Sequence, residues 1–420
     1  MDHLFYFAVF VVVGGLAFYI LLLGYHEYRR VQMSFQVATL EREHLQKRIQ
    51  LISSQQHFET NRSELSWNGF RKFVIASKKS ECDEVCSFYL APHDGKPLPP
   101  YQPGQYLTFQ LNIPGLSRPV IRCYSLSDSP NHPDYYRVTI KKIDAPTGKP
   151  DIPPGLVSSF FHDQLGEGDI VDVKAPSGHF YLDMSSQTPT VLIAGGVGLT
   201  PLLSMLNTVV EAASQREIWL FYGVRDGKEV IHGDHLLRLA EANPNIRVHL
   251  CFSKPSPEDR KKKNHHAERV TVDLLKKMLP SNNFDFFICG PPAMMDIMIP
   301  ALKAWGVPDK NIFLEAFGAA TIKKAAPQSE AAVSGATFQV TFSRSKKACK
   351  WDSKVSSLLD LALDHDVRID SGCRAGNCGT CLTAIKSGEV TYLNEPGAKI
   401  EQGSCLTCIA VPKSDLVLDA

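Results

Sequence analysis

Five of the eleven cysteines fall between positions 373 and 408. Four of these, Cys373, Cys378, Cys381 and Cys408, are separated by four, two and 26 intervening residues. A C-x4-C-x2-C…C order is the ligand spacing of one kind of [2Fe–2S] cluster. Four thiolates offset the charge of two ferric ions. Gly372, Gly376 and Gly379 let a loop wrap a cluster and aim its amides at sulfur. Structural zinc is the bland rival, but zinc sites favour paired C-x2-C knuckles. Eleven cysteines in 420 residues are too sparse for a disulfide scaffold. Cys405 offers a second candidate for the fourth ligand. Around the quartet, the strand-like TFQVTFS and the helical VSSLLDLALDHD make a compact module over 337–420. An Ala- and Ser-rich stretch at 321–336 reads as a linker before it.

A length of 420 residues leaves room for about two further domains. With 45 Lys+Arg against 44 Asp+Glu, bulk charge gives no footprint for nucleic acid, and none is expected. The first segment is different in kind. Leu4 to Tyr25 carries no charge and is long enough to span a hydrocarbon core of about 30 Å. No small-x-small cleavage site follows it. The segment at 1–30 therefore predicts a transmembrane anchor, with a buried core helix as the alternative. Arg29, Arg30, Arg42, Lys47 and Arg48 follow the apolar stretch. The positive-inside rule then predicts a single-pass protein with its C-terminal bulk in the cytoplasm. Residues 31–66 lack proline, and Val31, Phe35, Ala38, Leu45, Ile49 and Ile52 recur at a spacing near 3.5, broken at Arg42. That reads as a helical stalk, either a short coiled coil or an amphipathic helix.

Between 67 and 183 the chain alternates short strand-like runs with Gly/Pro turns, which predicts an antiparallel β-barrel. Between 184 and 320 strands alternate with helical segments, which predicts a doubly wound α/β sheet. The first strand of that region runs directly into Gly195-Gly196-Val197-Gly198-Leu199-Thr200 and then a helix. A strand, a glycine turn and a helix N-terminus make a phosphate cradle. A later buried-type strand ends in Cys289-Gly290-Pro291-Pro292, and Glu315-Ala316-Phe317-Gly318 closes the region.

Arg122-Cys123-Tyr124-Ser125 follows Gly104-Gln105-Tyr106, precedes a strand ending at Lys141, and is followed by Gly155-Leu156-Val157-Ser158. In this context residues 67–318 resemble the ferredoxin–NADP reductase superfamily, and within it the reductase half of bacterial flavohemoglobins. The globin half is absent, so nitric oxide dioxygenation is not carried over. The resemblance implies Arg122 on the flavin phosphates, Tyr124 against the isoalloxazine and Ser125 near its N5. It also implies backbone amides of Gly155–Ser158 on a pyrophosphate, hence FAD rather than FMN. Tyr106, Cys123 and Lys141 complete the expected flavin set. Gly195–Thr200, Gly290 and Pro291 are expected to hold the nicotinamide dinucleotide. Cys289 is expected beside the nicotinamide, with a packed structural thiol as the alternative, and Phe317 near the flavin ring. Ser125, Cys289 and Phe317 are the expected catalytic residues.

The quartet module resembles plant-type ferredoxins, of β-grasp, α+β type. Cys408-Ile409-Ala410-Val411-Pro412 matches that family's Cys-x-x-x-Pro ending, which favours Cys408 over Cys405. Arg225 and Asp226 point opposite ways on nucleotide choice: a guanidinium suits a 2′-phosphate, a carboxylate suits ribose hydroxyls. NADH is expected, with NADPH the alternative. The basic run Arg260–Lys263 reads as a solvated loop, or else a docking element.

The whole then predicts a membrane-anchored reductase that passes electrons from NAD(P)H through FAD and a [2Fe–2S] cluster. A partner oxygenase, hydroxylase or desaturase in the membrane is the expected acceptor. An NADH:quinone-type reductase and a non-catalytic redox sensor are the alternatives.

Overall fold

The computed structural model describes residues 2–117, 119–145, 153–261, 265–316, 337–352, 355, 357–372, 376, 379–393, 396, 398 and 400–420. Phe317, Cys373, Cys378 and the predicted linker lie outside them.

The N-terminal unit is one continuous helix, α1 (Asp2–Leu65), which runs through the predicted anchor and stalk without a break. Within it Phe10–Thr39 is apolar and long enough to cross a membrane, by length and composition. Its apolar side chains, Phe10, Leu16, Phe18 and Ile20 among them, are all exposed within the chain.

The second unit begins with six antiparallel strands: β1 (Arg71–Cys82), β2 (Val85–Pro92), β3 (Tyr106–Leu111), β4 (Val120–Ser125), β5 (Tyr136–Lys141) and β6 (Ile170–Ser177). Their order is β4-β3-β6-β1-β2-β5, and a bridge between Leu126 and Val138 closes the ring. Phe73, Phe88, Leu107, Phe109 and Val173 fill the barrel. Helix α2 (Leu156–Asp163) plugs one end with Phe161, edge-on to Phe88 and Phe109.

A parallel sheet follows: β7 (Thr190–Gly195), β8 (Ile218–Val224), β9 (Ile246–Phe252), β10 (His265–His266), β11 (Asp285–Gly290) and β12 (Ile312–Ala316). Its order is β10-β9-β8-β7-β11-β12, so the chain reverses direction across the sheet between β7 and β11. Helices α3 (Leu199–Glu211), α4 (Gly233–Ala242), α5 (Val272–Met278) and α6 (Pro292–Ala304) connect the strands. Buried residues on the two sheet faces form two separate cores, as expected when helices cover both sides.

Barrel and sheet interlock. Val85, at the tip of the β1–β2 hairpin, packs into the core of the sheet. Asp128 accepts a hydrogen bond from Asn207 Nδ2 at 2.9 Å, and its carbonyl accepts one from Ser204 Oγ. The same carboxylate pairs with Arg137 at 3.2 Å inside the barrel, so a barrel charge and helix α3 share one anchor.

The last domain contains β13 (Phe338–Phe342), β14 (Lys347–Trp351), α7 (Leu358–Asp364), β15 (Leu382–Ser387), β16 (Val390–Tyr392), β17 (Ser404–Leu406), β18 (Ala410–Pro412) and β19 (Leu416–Leu418). Helix α7 opens at Ser357, whose hydroxyl accepts from the Asp360 amide; this cap trims the predicted helix at its start. The five-stranded sheet β14-β13-β19-β15-β17 mixes parallel and antiparallel pairs over a core of Val340, Phe342, Leu358 and Leu418.

Candidate functional site

The two glycine motifs of the parallel sheet meet. A Cβ placed on Gly198 would lie 2.2 Å from the Cys289 carbonyl oxygen and 2.8 Å from the Gly290 nitrogen. A Cβ on Gly195 would lie 2.7 Å from Pro291 Cδ. Backbone touches backbone, which only glycine permits. Gly196 has φ +54°, the left-handed region, so the turn between β7 and α3 also depends on a residue without Cβ.

These turns floor a cavity of about 580 Å³ at the C-terminal ends of β7, β8, β9 and β11. That is the switch point of an open α/β sheet, where ligands bind. Gly195, Gly196, Val197, Gly198, Gly290 and Pro291 line it. Leu199 and Thr200 do not. Leu199 is buried in the core, and the Thr200 hydroxyl donates to the Val197 carbonyl at 3.0 Å. Sequence reasoning missed Glu229, Ser253, Arg269 and Thr271, which line the opposite side. They sit in loops without a motif and gave no signal.

Beside this crevice the barrel meets the sheet at a buried polar contact. The Ser125 hydroxyl, at the end of β4, donates to Glu315 Oε2 at 3.2 Å. Glu315 lies directly across from Cys289 in the β11–β12 pairing. Burial pushes the Glu315 carboxyl up to about 8, with the Ser125 hydrogen bond opposing the shift. Burial, followed by the Glu315 charge, raises the fully buried Cys289 thiol well above its usual range. The residue is thus a packed neutral thiol, as well as a neighbour of Glu315. Glu315 was named in the sequence only as part of a closing segment. Its signal was a lone acid inside the apolar strand IFLEA, an expensive group to bury without purpose.

On the barrel side Arg122 and Cys123 are half-buried on β4, and Arg122 Nη1 donates to the Ile121 carbonyl at 2.7 Å. Cys123 Sγ is 3.4 Å from Thr108 Oγ1. Tyr124 stands edge-on to Phe109 and Phe161, with ring centroids 5.8 and 5.3 Å apart. Tyr106 is buried under Gly178, where a Cβ would strike its ring at 2.8 Å. Three expected flavin contacts differ in detail. The Gly155 amide donates to the Ile143 carbonyl at 2.8 Å. The Ser158 hydroxyl donates to the Gly155 carbonyl and accepts from the Ile143 amide, at 3.0 and 3.2 Å. These bonds hold the start of α2. Lys141 Nζ lies 3.5 Å from Glu84 on the surface.

In the last domain, Cys381 Sγ and Cys408 Sγ approach to 3.2 Å, both buried, in a small cluster with Leu359 and Ile409. Cys405 packs instead in the main core, where burial pushes its thiol up to about 12. A Cβ on Gly376, at φ +74°, would lie 2.4 Å from Ile409 Cδ1, next to Cys408. The described half of the quartet therefore suits a thiolate-bound cluster: two buried sulfurs converge beside Ile409, which Gly376 contacts.

Family models match in the same order along the chain: an oxidoreductase FAD-binding domain over 72–181, an oxidoreductase NAD-binding domain over 192–299, and a 2Fe-2S iron-sulfur cluster binding domain over 340–413. The chain is 30% identical to the flavohem-like FAD/NAD-binding domain of nitric oxide dioxygenase from Vibrio cholerae O1 biovar El Tor, covering 60% of this chain and 100% of that one, with a TM-score of 0.53. The chain belongs to the ferredoxin–NADP reductase superfamily. The reductase is fused to a 2Fe-2S domain, and its cofactors are FAD, a nicotinamide dinucleotide and a [2Fe–2S] cluster. Phthalate dioxygenase reductase is similar over both parts: 29% identity, 84% of this chain, 98% of that chain and a TM-score of 0.54. The flavohemoprotein of Halalkalibacterium halodurans is 37% identical over 270 residues, which is 64% of this reductase and 65% of that protein's length.

Proposed function

We propose that this NAD(P)H–FAD–[2Fe–2S] electron-transfer reductase is NADH-dependent, is held at a membrane by α1, and serves a membrane oxygenase, hydroxylase or desaturase. The observation that carries the reading is the order of the three domains together with the convergence of Ser125, Cys289 and Glu315 where barrel and sheet meet. Bound in these domains, FAD would supply two-electron exchange with the nicotinamide and a [2Fe–2S] cluster would supply one-electron transfer. Phthalate dioxygenase reductase carries electrons from pyridine nucleotides to [2Fe–2S], which supports the same direction here.

The chain's own residues position and exclude. Gly195–Gly198 and Gly290–Pro291 offer a backbone cradle to the dinucleotide phosphates, close enough for amide contact because no Cβ intervenes. Arg122 and the first-turn amides of α2 hold the FAD pyrophosphate, and Tyr124 and Tyr106 bound the flavin. Burial keeps Glu315 largely protonated at neutral pH, so the Ser125–Glu315 pair holds a proton at the junction of the two nucleotide sites. Cys373, Cys378, Cys381 and Cys408 hold the cluster; the approach of Cys408 to Cys381 favours it over Cys405. The exposed apolar face of α1 and the basic residues that follow it support an anchor with the catalytic bulk in the cytoplasm.

Cysteine substitutions test the electron path. Cys408→Ser is expected to remove the cluster absorbance and NADH-driven cytochrome c reduction while ferricyanide reduction through the flavin survives. Cys405→Ser is expected to retain all three. Loss of the cluster in Cys405→Ser, with its retention in Cys408→Ser, would reassign the fourth ligand. Resistance of the full chain to alkaline carbonate extraction tests the anchor; release into the soluble fraction would remove it.

A further inference from the structure

The dinucleotide cavity is lined by three charged groups, Arg225, Arg269 and Glu229. Arg225 and Glu229 are not independent. One Glu229 oxygen takes the Arg225 guanidinium through Nε and Nη2, and the other accepts from the Arg225 backbone amide at 3.2 Å. The carboxylate thus grips the residue at both ends.

The turn that carries the pair is fixed. Asp226 caps it by accepting from the Lys228 amide at 3.0 Å, and it does not line the cavity. Asp259 accepts from the Gly227 and Ser256 amides at 3.1 and 2.8 Å. A Cβ on Gly227 would lie 2.3 Å from Asp259 Oδ1, so the turn and that loop are in van der Waals contact. From the barrel, Lys141 adds a further positive field at Glu229 and, with the Arg225 contacts, helps hold its carboxyl below the usual range despite partial burial.

We infer that Glu229 is the residue that selects NADH over NADPH, by keeping Arg225 in an ion pair and placing its own charge at the wall of the cavity. The inference rests on the proposed NADH dependence and names its cause. Arg225 opens the turn after β8, where a doubly wound sheet meets the adenosine ribose. A guanidinium there would suit a 2′-phosphate, but a 2′-phosphate must first compete with Glu229 for it. The carboxylate also repels the phosphate directly. A ribose 2′-hydroxyl meets neither obstacle and finds an acceptor in Glu229. Only the fraction of molecules with Arg225 released binds NADPH well, and apparent affinity falls by that fraction.

The test is steady-state oxidation of NADH and of NADPH by the full-length protein with ferricyanide as acceptor. Glu229→Gln is expected to raise kcat/KM for NADPH by about tenfold, chiefly through KM, since each tenfold corresponds to about 1.4 kcal/mol. Adding Arg225→Ala to Glu229→Gln is expected to cancel the gain. A gain that survives the second substitution would overturn the ion-pair account, because removing a negative charge would then suffice. No gain in Glu229→Gln, with the wild type still preferring NADH, would overturn the inference while leaving the proposed NADH dependence intact. A wild-type preference for NADPH would instead strike the proposed NADH dependence itself.

Discussion

Two turns in this molecule were expected to hold phosphate, and they are built on opposite plans. The turn between β7 and α3 is made of backbone. Gly198 presses on the Cys289–Gly290 peptide, and no side chain closes the gap. The described residues at the start of α2 are held by one hydroxyl and one backbone bond. Ser158 ties the helix start to Ile143, and Gly155 spends its own amide on the Ile143 carbonyl. The first plan sets main chain against main chain. In the second, a Cβ on Gly155 would meet side-chain atoms instead, Ser158 Oγ at 2.6 Å and Ile143 Cβ at 2.9 Å. Main chain yields less readily than side chains, so the first turn is the less tolerant of substitution.

The largest effect that sharpens this contrast is Gly198→Ala. Its methyl would meet main-chain atoms at 2.2 to 2.8 Å, with no flexible side chain to yield. Strand β11 or α3 must shift, at a cost of about 3 kcal/mol, and NADH binding should be lost with it. Gly196→Ala is the control within the same turn: no atom lies within 4 Å, and only the left-handed backbone opposes it, at about 1–2 kcal/mol. Thermal unfolding and NADH titration of the pair measure both. Equal losses would remove the packing argument.

An intermediate effect lies at the boundary of the two regions. The Glu315 carboxyl is raised in the folded protein, so the folded state binds the extra proton between the ordinary value of 4.5 and about 8. Stability is then full below the lower value and declines as pH rises toward the upper one. Glu315→Gln should flatten that decline between pH 5 and 8 in thermal melts. A slope unchanged by the substitution would place the titration elsewhere.

The smallest expected change is Ser158→Ala, which removes the acceptor of the Ile143 amide. It should cost about 1 kcal/mol of stability and weaken FAD retention while leaving NADH affinity unaltered. A loss of NADH binding as deep as that of Gly198→Ala would erase the distinction between the two turns.

The same difference explains what could be read from the sequence. Strand–glycine–helix at 190–200 and the strand ending at Gly290 were legible because close approach excludes all other residues at Gly198 and leaves a motif. The cysteine spacing was legible for a similar reason: ligand geometry fixes residue type. Thr200 was expected in the phosphate cradle, yet its hydroxyl caps the Val197 carbonyl. A hydroxyl serves both purposes, and spacing does not separate them. Glu229 and Arg269 line the cavity from segments that carry no motif, so no local pattern announces them. Arg225 and Asp226 pointed opposite ways in the sequence; in the structure Arg225 lines the cavity and Asp226 caps the Lys228 amide.

The central claim is an electron path from nicotinamide through FAD to the cysteine quartet. Anaerobic titration of the full chain with NADH, followed by optical absorbance and electron paramagnetic resonance, tests it most directly. The account predicts flavin bleaching together with the signal of a reduced [2Fe–2S] cluster. Bleaching with no cluster signal would contradict it, because the quartet would then stand outside the path.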